Sequence, residues 1–213
     1  MNTTSAANLN NFLNRLPPNA PPAVPRNIET AVRLSERFHE KAAEIRANTR
    51  LSAEGKAEQV RAALSTGFSD HLSQLRKEIG GARAGIANEV GGLRKRAVEL
   101  VSDGYGPELR REVRGYLRTL EANERRRLAF ESEDRLIQAS ILEAPAFLSG
   151  LDEQAYSVIE QRVVEGAFGK RLAELEIQNG SWEHADTVCK IVTNELAREA
   201  EINPTALEKQ LAA

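Results

Sequence analysis

Residues 28–49, IETAVRLSERFHEKAAEIRANT, decide the fold class. Ala31, Ser35, Phe38, Ala42 and Ile45 recur at intervals of four, three, four and three, the seam of a helix that packs along a partner helix. Most positions between them are charged or polar, as on a face left to water. Across the 213 residues, 41% are hydrophobic, 28% are charged and only 5% are aromatic, a composition that suits long helices better than sheets. The expected class is all-α.

A partner for the seam follows directly. In TRLSAEGKAEQV (49–60), Ser52 has the place and chemistry of an N-cap, its hydroxyl accepting from an amide that has no helical partner. Beyond it, Val60, Leu64, Phe68, Leu72, Leu75, Ile79, Ala82, Ile86, Val90, Leu93, Ala97 and Leu100 form a second, longer stripe. The spacing predicts a helix from Ala53 to Val101 that reverses on the first to make a long helical hairpin or coiled coil over residues 28–103. Gly80, Gly81, Gly85, Gly91 and Gly92 interrupt the stripe, each costing up to about 1 kcal/mol relative to alanine. They mark a weak point or hinge, or else a place where small residues let another helix approach.

Upstream, residues 1–27 hold Pro17, Pro18, Pro21, Pro22 and Pro25, five of the chain's 8 prolines. Proline fixes φ and removes a donor, so the expectation is an extended, Pro-rich arm. Leu9, Phe12, Leu13 and Leu16 in that arm share one face of a short helix and are candidate contacts to a partner protein. The alternative is an ordinary disordered tail.

Downstream, SDGYGP (102–107) breaks the helical pattern and sets the expected boundary of a second region, a helical bundle over residues 107–213. Residues 131–213 carry 16 acidic and 7 basic side chains, a net of −9, which leaves +7 on residues 1–130. An electrically two-ended molecule is expected, with an acidic bundle at its C-terminal side. Between the two lies an arginine-rich zone: Arg94, Lys95, Arg96, Arg110, Arg111, Arg114, Arg118, Arg125, Arg126 and Arg127. Clustered cations of this kind suit nucleic acid phosphates. Glu108, Glu112, Glu121 and Glu124 are interleaved at intrahelical pairing distances, however, which favours a solvated face.

The stretch ILEAPAFLSGLD (141–152) reads as a corner. Pro145 disfavours helix at Ala144, Gly150 permits a sharp reversal, Asp152 caps the next helix, and Phe147 and Leu148 are available to plug the space between helices. A further helix is expected to end at Asn179–Gly180, with Ser181 capping the next, and a last short helix to start with Asn203 as N-cap and Pro204 as its first residue, Leu207 and Leu211 pointing inward.

No residue set identifies a reaction, a cofactor or a metal. His39, His71 and His184 are scattered outside any metal-ligand spacing, and Cys189, five residues from His184, falls on a different helix face. IGGARAG (79–85) lacks the preceding strand and the following Gly-Lys-Ser/Thr of a phosphate loop. No apolar run reaches the roughly 18 residues of a membrane span, and the start of the chain lacks the character of a signal peptide.

Two segments resemble small helical proteins of unassigned role encoded among tailed-bacteriophage structural genes: IRANTRLSAEGKAEQVRAAL (45–64) and ILEAPAFLSGLDEQAYSVIEQRV (141–163). The shared features are an Asn-x-x-Leu-Ser-x-x-Gly-Lys turn before a long helix and an Ala-Pro-x-Phe-Leu-Ser-Gly-Leu corner before a capped one. The resemblance implies a virion or virion-assembly role, in the host cytoplasm or the virion, and carries no site residues. Together with the two stripes it leads to the expectation of a non-catalytic structural protein. Such a protein would self-associate through its helices and arm, as a homo-oligomer or with other virion proteins. The second expectation is a nucleic-acid-binding accessory protein using the arginine zone.

Overall fold

The structure, a computed structural model, describes residues 6–212, and every regular element among them is helical. The chain runs α1 (Ala6–Leu13), α2 (Ala23–Ala47), α3 (Ala53–Ala63), a π-helical turn (Leu64–Phe68) and α4 (Ser69–Ser102). It continues through α5 (Pro107–Thr119), α6 (Ala122–Glu131), α7 (Arg135–Leu142), a 3-10 turn (Ala146–Ser149), α8 (Glu153–Glu199) and α9 (Pro204–Ala212). Two compact units result, one from residues 1–86 and 176–213 and the other from 87–175.

The first unit is built around the seam. Ala31, Ser35, Phe38, Ala42 and Ile45 are all buried, in one core with Val60, Leu64, Leu72, Leu75 and Ile79 and with Trp182, Val188, Val192 and Leu196 of α8. Phe38 meets Phe68 edge to face at 5.1 Å. The seam of α2 is therefore covered within the chain, whereas Leu100, the last member of the second stripe, is exposed. Ser52 caps α3 as expected, accepting from the Gly55 amide at 3.1 Å. At the π turn the Ser69 amide donates to the Leu64 carbonyl five residues back, and Thr66 and Ser69 hydroxyls satisfy the carbonyls of Ala62 and Ser65.

The Pro-rich segment departs from expectation. It is not an extended arm: α1 occupies Ala6–Leu13, and α2 already starts at Ala23. Pro17 and Pro21 accept from the Ala20 and Val24 amides in two turns, and Pro25 lies in the first turn of α2, where an N–H would have no helical partner. Val24 and Ile28 are thereby buried. Residues 1–5 of the expected arm lie outside the described residues.

The hairpin and bundle boundaries also shift. SDGYGP is a loop, but the units divide at 86/87 and 175/176, inside α4 and α8, so residues 107–213 do not form one acidic bundle. With residues 176–213 joined to 1–86, the first unit holds 15 acidic and 15 basic side chains and the second 16 and 14. The two-ended charge of the linear chain is cancelled by its topology. All five glycines between 80 and 92 lie within unbroken α4, and a methyl group added at any of them would meet nothing within 4 Å, so none serves a close helix approach. Nor does Asn179–Gly180 end a helix: α8 runs through, and the Ser181 hydroxyl, expected as a cap, donates to the Ile177 carbonyl at 2.8 Å. Burial of Ser181 and Trp182 in the first unit's core offsets the roughly 1 kcal/mol glycine cost. The one departure from helical geometry in α8 is at Phe168, with φ −136° and ψ 19°.

The second unit packs α5, α6, α7 and the adjoining parts of α4 and α8 around Ala97, Leu117, Ala129, Ile141, Leu142, Leu151, Ala155, Ile159, Val163 and Val164. Its core contains no fully buried aromatic side chain; Phe130, Tyr156 and Phe168 are half-buried at its margin. At the start of α9, Asn203 accepts from the Thr205 amide at 2.9 Å, and Leu207 and Leu211 are buried as the spacing predicts.

Candidate functional site

Chemistry in the second unit concentrates at the corner 141–152. Pro145 follows the end of α7, and Gly150 adopts φ 71°, a left-handed conformation that glycine takes without strain. The Asp152 carboxylate accepts from the Ala155 amide at 2.7 Å, capping α8, and the Tyr156 hydroxyl donates to the Leu142 carbonyl at 3.0 Å. The 3-10 turn places Ala146 and Ser149, three residues apart, on its inner face. Phe147 and Leu148 do not plug the interior as expected. Phe147 is 69% exposed and Leu148 lies at the surface, because a three-residue period turns both outward.

The arginine zone divides into latches and free cations. Arg125 holds the corner from beneath: Nε donates to the Leu117 carbonyl at 2.7 Å, Nη1 to Gly150 at 2.6 Å, and Nη2 to Leu120 at 2.7 Å and Arg118 at 3.2 Å. A Cβ at Gly150 would lie 2.7 Å from that guanidinium, so the glycine serves both the turn and the latch. Arg110 makes a two-pronged contact with Glu143 at 2.8 and 2.7 Å and also donates to the Ser102 and Tyr105 carbonyls. Arg114 donates to Glu143 at 2.9 Å and to the Ser140 carbonyl at 3.1 Å. The Arg110 guanidinium, with Arg114 beside it, holds the Glu143 carboxyl down at about 2 against the cost of its desolvation. Arg126 pairs with Asp152, and Arg127 with Glu131 at 3.7 Å on an exposed surface.

Arg94, Lys95, Arg111 and Arg118 are exposed, and no ion pair engages their side chains among the described residues. Arg96 lines a shallow recess of about 550 Å³ with Arg110 and Phe168. The predicted cationic zone is thus brought into one unit, but half of it is committed to holding carbonyls and carboxylates of the same chain. Sequence spacing had pointed to helical Glu partners for it. The partners found instead for Arg110, Arg114, Arg125 and Arg126 lie beyond their own helices, at Glu143, Gly150 and Asp152. The left-handed glycine at 150 was the one local sign that something backs the corner.

Exposed large apolar side chains collect in the same unit: Leu100, Leu109, Tyr116, Phe147, Leu148 and Val158, against Ile177 and Ile191 in the first. The arm residues predicted to seek a partner do not join them. Leu9, Phe12, Leu13 and Leu16 are half-buried against the first unit's own core, and the Phe12 carbonyl lies 2.9 Å from His184 Nε2.

Cys189 is buried, and burial pushes its thiol up to about 11, away from nucleophilic thiolate character. The three histidines are engaged separately: His39 with Glu199, His71 with the Gly67 carbonyl and His184 with Phe12. Among the described residues no group of three His, Cys, Asp or Glu side chains is placed to hold a metal ion, and no helix is long and apolar enough to cross a membrane. No protein-family model matches the chain, and no curated protein or solved structure matches it either.

Proposed function

We propose that the protein is a non-catalytic assembly component, of the virion or virion-building kind that its two segments resemble, and that it associates with copies of itself. The observation that carries this reading is the collection of exposed apolar side chains on the second unit, headed by Phe147 at 69% and Tyr116 at 58% exposure. Two large exposed aromatics in a chain with so few are a cost in water that an interface removes. The surface for self-association is accordingly neither the seam, which the chain covers itself, nor the N-terminal arm.

Light scattering of the full chain tests it. The expected mass exceeds the 23.5 kDa of one chain and rises with concentration, while Phe147→Ser with Tyr116→Ser returns it to that of a monomer. A wild-type mass that stays at one chain from micromolar to near-millimolar concentration rejects the reading.

A second reading rests on a different observation, the four exposed and unpaired cations Arg94, Lys95, Arg111 and Arg118. Four phosphate contacts correspond to a log-log salt slope of about −3.6 for duplex DNA. Alanine at those four positions abolishes the slope if they form a nucleic acid surface. Failure to retain DNA at low salt excludes it.

A further inference from the structure

Along α5, Leu109, Val113, Tyr116 and Leu120 recur at intervals of four, three and four, the spacing that the seam of α2 also has. The α2 seam is buried in the first unit's core, whereas this stripe is covered along one edge only. Val113 and Leu120 are half-buried against the second unit's core, while Leu109 and Tyr116 are 43% and 58% exposed. Leu109 and Tyr116 are seven residues apart and so lie on one face of α5, which is left to water. A stripe of this period is matched by a helix that carries the same stripe.

The two ends of α5 differ in shape. At its N-terminal end lies the recess of about 550 Å³, with Arg110, Ser102, Leu100 and Phe168 in its wall. Leu100, in the last turn of α4, is 55% exposed there. Beside the C-terminal half of α5 stands the corner, because the 3-10 turn packs on that helix and Arg125 ties the Leu117 and Gly150 carbonyls together. Phe147 projects from this second end. One end has an apolar wall with room in front of it, and the other an aromatic side chain with nothing around it.

We propose that two copies pair through this face with their α5 helices antiparallel about a two-fold axis, an arrangement that rests on the self-association reading above and names its geometry. Leu109 faces Leu120 of the second copy, Val113 faces Tyr116, and Phe147 of each copy enters the recess of the other. The antiparallel direction sets unlike ends together and opposes the two helix dipoles, whereas parallel packing would bring recess to recess and ring to ring. Each copy supplies both a ring and a recess, so the contact is self-complementary and closes at two chains. Leu100, Leu109, Tyr116, Phe147 and Leu148 together expose on the order of 500 Å² per copy. That is more than half of the roughly 800 Å² which one partner gives to a standard interface, and the polar rim supplies the remainder. The recess is of the size of pockets that enclose a whole small molecule, ample for one aromatic side chain.

The test uses the full chain. Leu109→Cys and Leu120→Cys are made as separate proteins, mixed, and oxidised with glutathione disulfide; the native Cys189 is buried and stays out of the exchange. Positions 109 and 120 are about 16 Å apart along α5. In the antiparallel pair each lies about that far from its own equivalent, beyond the reach of a disulfide, and next to the other position of the second copy. Cross-linked dimers are therefore expected from the mixture and from neither variant alone. Leu100→Ser and Phe147→Ser change exposed side chains and give a second measurement that leaves the helices intact. Each should weaken dimerisation about tenfold, and both together little more than either, since either one removes the same contact. A wild-type dimer whose mixture fails to cross-link, cross-linking of either variant with itself, a loss of about a hundredfold in the double variant, or an assembly larger than two chains overturns the antiparallel pair while self-association stands. A wild-type mass that stays at one chain to near-millimolar concentration overturns both.

Discussion

The two units use the same helices-and-caps vocabulary to different ends. In the first, large side chains seal the interior: Phe38 and Trp182 are buried, the seam of α2 is covered, and charges sit mainly at the surface. In the second, the core is thinner and free of fully buried aromatics, and guanidinium groups take over part of the holding by binding backbone carbonyls at the corner. Leu117, Ile141 and Ile159 are buried there, but Leu100, Leu109, Tyr116, Phe147, Leu148 and Val158 are on the outside. Packing holds one unit and polar latches the other, and only the latched unit has much apolar surface left for a partner.

That contrast can be broken by substitution, beginning where the effect is largest. Phe38→Ala removes the centre of the packed core and should cost about 3–5 kcal/mol, read from denaturant unfolding. A loss below about 1 kcal/mol would mean that packing does not dominate the first unit. Arg125→Ala leaves the Leu117, Leu120 and Gly150 carbonyls without their cation and should cost about 2–3 kcal/mol, and Gly150→Ala a comparable amount through strain and collision with the guanidinium. If both behave like ordinary surface changes, the corner is not latched.

Glu143→Gln should cost about 1 kcal/mol at neutral pH, a figure reduced by the partial exposure of the group. Its pH dependence has a definite sign. The folded carboxyl titrates at about 2, below its ordinary value, so its contribution is complete above about pH 4.5 and disappears as pH falls toward 2. Unfolding followed across that window should show a steeper acid loss in the wild type than in Glu143→Gln; equal slopes would remove Glu143 from the account. Smallest of all, Phe147→Ser should change stability by less than about 0.5 kcal/mol while lowering the mass of the assembly, because the side chain touches mainly water in the single chain. A large loss of stability there would make Phe147 part of the fold after all.

Much of the corner was legible in the sequence, because Gly150 and Asp152 act within a few residues of themselves. Its latch was not: Arg125 reads as one member of a charged run, and nothing local connects it to a carbonyl 25 residues on. The outward turn of Phe147 was hidden for a related reason. Apolar character predicts burial, whereas the three-residue period of a 3-10 turn and the small residues at 146 and 149 decide which side faces in.

The sequence by itself determined the all-helical class, the seam at Ala31 to Ile45, the caps at Ser52, Asp152 and Asn203, and the inward placement of Leu207 and Leu211. These depend on periodicity and hydrogen bonds that close within about one helical turn. Tertiary structure alone decided that α8 continues through Asn179–Gly180, that the Pro-rich segment folds onto the core, and that residues 176–213 rejoin 1–86 and cancel the charge of the linear chain. A glycine or a proline shifts local free energy by about 1–3 kcal/mol, and burying a few large side chains against residues more than a hundred positions away outweighs that amount.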